Sequence, residues 1–279
     1  MATKYKLTKE GMTSSSSPQF VMKEGPDIYD NFYASVYDYL MFSKVKNDFE
    51  IEQITSATHM NDESVIIDIG SGLGHHVNAL HERGINVIGI DNSQAMVNEA
   101  KSLYPQCTFR KDDGLNSDLL QSDTISHILC LYFTIYYFQD KTLFFSNCFQ
   151  WLQSGGYLVI HLVNKHLFDP ILPAGNPLNI LSLQKYAPKR ITNTKITFNE
   201  FIYTSEFMFD DDDETIASFN EKFKFNDGKV RKTRHPLFME DMNTITQMAQ
   251  HCGFVLIKKI DLMQCAYENQ YLYVLQKPN

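Results

Sequence analysis

The sequence has no apolar run of about 18 residues, the length a membrane-spanning helix requires, so no transmembrane segment is expected. Its opening stretch, MATKYKLTKEGMTSSSSPQF, carries lysines but no apolar core and does not read as a secretory signal. Cysteine is sparse and lacks paired spacing. Cys107, Cys130, Cys148, Cys252 and Cys265 are scattered, which argues against a disulfide frame or a zinc site and for thiols kept reduced in the cytoplasm. Positive charge is also short, with 25 Lys and Arg against 33 Asp and Glu. A net charge of −8 disfavours broad contact with nucleic acid. No metal site is expected, and nothing in the pattern bears on oligomeric state.

What is present is a chain of 279 residues, 43% hydrophobic and 21% charged, the balance of a globular protein able to bury a core. Residues 1–26 read as a flexible arm rich in Lys, Ser and Thr, closing on Gly25-Pro26. Residues 27–60 read as a helical cap. There Phe32, Val36, Tyr39 and Leu40 fall at helical spacing beside a second stripe of Tyr29, Tyr33 and Tyr37.

From 61 to 163 strands and helices alternate. SVIIDIG is a short, β-branched, continuously apolar run, and INVIGID, CTFRKDD, ISHILCLYF and YLVIHLV read as further strands, with helices between them through HHVNALHERG, SQAMVNEAKSLY and KTLFFSNCFQWL. Ser93 is the expected N-cap of the second helix and SGG a turn before the fifth strand. This order predicts a doubly wound α/β fold with a mostly parallel sheet. Residues 164–236 interrupt it with segments of two-residue period and an Asp227-Gly228 hairpin signal, so a small antiparallel β lid is expected. The acidic run Asp210–Glu214 reads as a solvated turn. Residues 237–279 return to the main pattern with a helix and two strands joined by a short link, which permits an antiparallel pair at the sheet edge.

The most informative stretch is DIGSGLGHH, 68–76. A glycine-rich turn between a strand and a helix brings backbone N–H groups against a ligand, where a side chain would block the approach. The dinucleotide spacing G-x-G-x-x-G is not met, because its third glycine position is His75. With Asp68, Gly70, Gly72 and Gly74 in place, VIIDIGSGLG resembles the first motif of class I S-adenosylmethionine-dependent methyltransferases, over residues 64–163 and again from 238. The resemblance implies a Rossmann-like methyltransferase fold with an antiparallel last strand. It also implies a loop of Gly70, Ser71, Gly72 and Gly74 cradling the methionine portion of the cofactor, with Asp68 near its amino group. It places Asp91 on the ribose hydroxyls, Asn92 along the adenine, and Asp112 or Asp113 near the adenine amino group, with Asp113 preferred and Gly114 behind it. Leu131 and Tyr132 would lie under the sulfonium, and Tyr33 would close over the cofactor from the cap.

The function so implied is methyl transfer from S-adenosylmethionine to a nucleophilic N or O atom, leaving S-adenosylhomocysteine. His161, Tyr132 and Tyr136 are the candidates for helping the acceptor lose a proton. The segment LYFTIYYF replaces the motif of enzymes that methylate base amino groups, and the Pro-Cys motif of cytosine C5 enzymes is missing, so a small-molecule acceptor is expected. Phe198, Phe201, Tyr203, Phe207, Phe219 and Phe223 of the lid are candidates to line its pocket, with half of them packing the lid itself. A protein or peptide acceptor, or a catalytically silent partner subunit, are the alternatives.

Overall fold

The computed structural model describes residues 20–175, 184 and 187–279. The core elements follow the alternation of the sequence. Strand β1 (Phe20–Glu24) leads through a 3-10 turn (Gly25–Ile28) into α1 (Asn31–Met41) and α2 (Lys44–Thr58). Then come β2 (Val65–Ile69), α3 (His75–His81), β3 (Asn86–Asp91), α4 (Gln94–Leu103), β4 (Thr108–Lys111) and β5 (Ile125–Cys130). A 3-10 turn (Thr134–Tyr137) precedes α5 (Lys141–Trp151) and β6 (Leu152–Val163). The lid strands are β7 (Asn193–Thr197), β8 (Phe201–Phe209), β9 (Ile216–Phe225) and β10 (Val230–Phe238), and the chain closes with α6 (Met242–His251), β11 (Val255–Asp261) and β12 (Gln270–Gln276).

The main sheet has the order β11-β12-β6-β5-β2-β3-β4. Pairs among β2 to β6 are parallel, whereas β12 is antiparallel to both β6 and β11. Side chains on each strand alternate between two covered faces, which is why these strands read as continuous apolar runs. On β5, Ile128 and Cys130 pack with α5 and α6 residues, while Leu129 packs on the opposite face with Ile51 of α2, Val77 of α3 and Val97 of α4. Each such Ile or Leu contributes roughly 1.5–3 kcal/mol by leaving water. Helix starts are fixed by side-chain oxygens: Asp30 accepts from Tyr33 N, Ser93 from Met96 N and Asp140 from Leu143 N. Among the described residues, no helix is long and apolar enough to cross a membrane.

Two local readings change. The expected SGG turn is a bulged start of β6, where Ile125 pairs with Leu152 but His127 already pairs with Tyr157. The expected flexible arm lies outside the described residues up to 19, and its end is ordered. Phe20–Glu24 adds to the lid as a strand parallel to β10, giving the sheet order β1-β10-β9-β8-β7. Helix α1 packs against this sheet through Tyr33, Val36 and Leu40, which meet Phe201, Tyr203 and Phe223. Those lid aromatics therefore fill the seam to the cap, with Phe198 at its margin, while Phe207 and Phe219 reach the cavity below.

Candidate functional site

The turn after β2 is held from beneath and left open above. Gly70 N and Ser71 N donate to Ile90 O, and Gly72 N donates to an Asp91 carboxylate oxygen at 2.9 Å. The other Asp91 oxygen accepts from Ser93 N at 2.9 Å, so one carboxylate joins the ends of β2 and β3. Gly72 and Gly74 both have left-handed backbones, with φ of +55° and +83°, but for different neighbours. A Cβ on Gly72 would meet only Met96 Cε, at 3.7 Å, and otherwise face open space. A Cβ on Gly74 would run into the Phe109 ring at 2.4 Å, which makes Gly74 a helix-to-sheet packing glycine.

Above this turn lies a cavity of about 470 Å³, over the C-terminal ends of β2, β3 and β5, where the strand order reverses. Its floor includes Gly70, Gly72, Asp91, Asn92, Asp112, Asp113, Gly114 and Tyr132. Tyr29 and Tyr37 close it from the N-terminal side, and Phe207, Phe219 and Leu237 from the lid. A smaller cavity of about 90 Å³ adjoins it, sharing Tyr37, Met41, Gly70, Gly72 and Tyr132, and is lined further by Asp68, Ser71, Leu131, Lys46 and Glu50. Tyr132 has a left-handed backbone (φ +52°), sparsely populated for a residue with a bulky side chain.

Four expected residues lie off these walls. Gly74 is taken up by Phe109, as above. Tyr33 is fully buried in the α1–lid seam, its hydroxyl 3.4 Å from His235 Nε2; its neighbours Tyr29 and Tyr37 reach the cavity in its place. His161 is fully buried, with Nδ1 donating to the Tyr132 carbonyl and Nε2 3.1 Å from the Gln270 side-chain amide. Burial lowers its pKa to about 4, so it is a neutral ring bracing the left-handed backbone of Tyr132. Tyr136 is buried too, its hydroxyl accepting from Val163 N at 2.8 Å. Sequence periodicity places these residues on a helix, at a strand end or in a turn, but does not give the direction in which each side chain points.

The small cavity concentrates charge. Asp68, 2% exposed, is pushed up to about 8 by burial, with the nearby Asp91 and Glu50 acting in the same direction. Burial also raises Asp91. Glu50 goes the other way: burial pushes it up, but Lys46 at 2.6 Å and His76 at 2.9 Å hold it down at about 2. Lys46 Nζ also sits over the Tyr132 ring at 5.0 Å. The sequence signal for Lys46 and Glu50 is an i, i+4 pair on a helix, which looks the same on any solvated helix face. Tyr29 and Tyr37 stood in the noted tyrosine stripe, whereas Tyr137 and His235 left no signal of their own.

A family profile described as a methyltransferase domain matches residues 66–156. The phosphoethanolamine N-methyltransferase of Plasmodium falciparum is 32% identical over 121 residues, covering 39% of this chain and 42% of that protein. The chain spans about two fifths of the length of the curated relatives it matches. Among solved structures, an S-adenosylmethionine-dependent methyltransferase from Clostridium acetobutylicum superposes with a TM-score of 0.65 at 18% identity, over 89% of this chain and 99% of that one. A sugar N-methyltransferase from Streptoalloteichus superposes at 0.61 and 15% identity, over 100% and 99%. At such identities the structural likeness speaks for the fold, and the matched segment carries the glycine turn with the strand and the helix that it joins. Residues 66–156 thus match a methyltransferase domain, within a fold shared with S-adenosylmethionine-dependent methyltransferases.

Proposed function

We propose that this protein binds S-adenosylmethionine across the two adjoining cavities and transfers its methyl group to an amine nitrogen of a small molecule. The observation that carries this reading is the open cradle at Gly72, beside carboxyls that burial leaves short of a cation. Asp68 and Asp91 are both raised by burial, so a ligand bringing an ammonium and a sulfonium would relieve an unfavourable field. Ser71 Oγ is buried with no partner, a polar group that a ligand would satisfy. Lys46 and Asp68 offer the two ends of an amino-acid group their opposite charges, and Asp91, Asn92 and Asp113 would hold the nucleoside.

The cofactor supplies a methyl group already activated on sulfur, so the protein's own work is alignment and exclusion of water. Tyr37, Met41 and Tyr132 border both cavities and would separate them from solvent. The described lining of the larger cavity includes Asp91, Asp112, Asp113 and Asp169 but no Lys, Arg or His, and its other walls are largely aromatic. That chemistry favours a cationic or neutral acceptor with an apolar body over a phosphorylated or carboxylated one. Two of the similar proteins are, by name, N-methyltransferases. The five unpaired cysteines fit a reducing compartment such as the cytoplasm.

Calorimetric titration with S-adenosylmethionine and S-adenosylhomocysteine, with NADH as control, tests the cofactor. Both adenosyl ligands should bind and NADH should not; NADH binding alone would sink the reading. Repeating it from about pH 6 to about pH 8 adds a sign. Asp68, with its carboxyl near 8, starts protonated and must lose its proton to face an ammonium, so affinity should rise with pH by up to about tenfold per unit. Methyl transfer to benzylamine, tyramine and glucosamine then tests the acceptor class.

A further inference from the structure

Under the lid wall, side chains from separate segments join in one hydrogen-bonded line. Glu221 on β9 is buried and accepts from Tyr203 Oη at 2.7 Å, Thr233 Oγ1 at 2.7 Å and His235 Nε2 at 2.8 Å. Burial pushes this carboxyl up, but these bonds, led by His235, hold it below its ordinary range, so it is ionised. A carboxylate only accepts, so Nε2 carries a hydrogen, and a neutral ring with its hydrogen there has Nδ1 as an acceptor. Nδ1 lies 2.8 Å from Tyr137 Oη, which in turn accepts from Tyr29 Oη at 2.8 Å. His235 is 1% exposed and off the cavity walls, whereas Tyr137 and Tyr29 both line the cavity. A lid seam needs only apolar residues turned inward, as Phe201 and Phe207 are on β8. Strand β10 instead turns Thr233 and His235 onto a buried carboxylate.

We propose that Tyr137, His235 and Glu221 form the proton exit of the acceptor site, taking the proton that an amine must lose before it can accept a methyl group. This rests on the methyl-transfer reading above. The acceptor ammonium gives one proton to the Tyr137 oxygen, from the cavity directly or through Tyr29, as Tyr137 gives its own to His235 Nδ1. One N–H bond breaks at the acceptor and one forms at the imidazole. The phenol is regenerated, and the single positive charge moves from ammonium to an imidazolium paired with Glu221. The acceptor nitrogen keeps the electron pair it needs for attack, and the proton returns to solvent by the same path after product leaves. Burial holds both Tyr29 and Tyr137 above the ordinary phenol range, so they pass a proton on without standing as phenolates. The titratable groups facing the imidazole are Glu221 of β9, Tyr29 and Tyr33 of the N-terminal segment, and Tyr137 of the core; Tyr203 of β8 faces it through Glu221.

The test compares the full chain with His235→Gln, whose amide can still donate to Glu221, and with Tyr137→Phe. The substrate is whichever of benzylamine, tyramine and glucosamine the wild type methylates fastest. S-adenosylmethionine affinity should stay within about twofold in both variants. Turnover near neutral pH should fall by roughly 10²–10⁴, the range of general-base contributions. The deficit should shrink below about tenfold as pH rises past the pKa of the amine, which then arrives without its extra proton. An architectural role would give a deficit that does not change with pH, and that result, or no deficit, overturns the relay. A readout needing no acceptor is the ¹⁵N spectrum of histidine-labelled protein, with His235→Gln to assign the signal: hydrogen on Nε2 supports the relay, and hydrogen on Nδ1 overturns it. Failure of the wild type to bind S-adenosylmethionine would instead sink the methyl-transfer reading on which the relay depends.

Discussion

Gly72 and Gly74 share a motif, a left-handed backbone and a two-residue spacing, yet what fills the space beside each differs. Phe109 already occupies the volume beside Gly74, while beside Gly72 the volume is free of protein apart from Met96 at van der Waals distance. Gly72→Val should therefore remove S-adenosylmethionine binding in a protein that remains folded, because the branched side chain enters the proposed ligand space from a backbone it also strains. Calorimetry beside a thermal melt checks this; a folded variant with unchanged affinity would move the cofactor elsewhere. The motif in the sequence could not separate the two glycines, since the packing partner of Gly74 lies on β4, thirty-five residues on.

Helix α2 shows how an element can carry charge inward. Lys46 and Glu50 are one turn apart and almost fully buried, at 5% and 0% exposure, because α2 packs between the main sheet and the small cavity. Lys46→Met keeps the length of the side chain but strands the Glu50 carboxylate with His76 alone, and should cost about 3–5 kcal/mol in urea unfolding. Changing both partners, Lys46→Met with Glu50→Gln, should recover much of that loss; an exposed pair would show less than about 1 kcal/mol in either experiment. Elements were more legible in the sequence than the directions of their side chains. The strands of the main sheet, the Ser93 cap and the Asp227-Gly228 hairpin rest on local chemistry that a short window contains. The inward face of β10 does not: its alternation Arg231, Thr233, His235 is polar, and the partners that make it an interior face, Asp30 for Arg231 and Glu221 for Thr233 and His235, lie on other segments. The expectation of His161 and Tyr136 at the acceptor site fails for the same reason, both being buried against backbone groups of distant segments.

At the scale of the whole molecule, buried histidines set the response to acid. Burial lowers both His127 and His161 to about 4, against an ordinary value near 6.5. The unfolded chain takes up these protons first as pH falls, so the stability they contribute is present above about pH 6.5 and eroded down to about pH 4. Each withdraws up to about 1.4 kcal/mol per pH unit. Glu50, held near 2, gives up its share later, between about pH 4.5 and pH 2. Asp68, raised to about 8, acts with the opposite sign over this range and offsets about one histidine. Urea midpoints should therefore fall below about pH 6.5 with a net slope near that of a single histidine, and His127→Phe, which keeps a ring stacked on Tyr157, should flatten it. The joining of β1 to β10 has its own consequence for how the molecule comes into being. Phe20 leaves the ribosome some two hundred residues before its partner Val230, and the strand leads directly into the Gly25 and Tyr29 wall of the cavity. Loop closure over that separation costs chain entropy before any contact repays it. The α/β core from β2 to β6 has its own partners long before then, so a nascent chain would carry the glycine turn while still lacking a roofed acceptor chamber, and assembly of that chamber would be among the last events of folding.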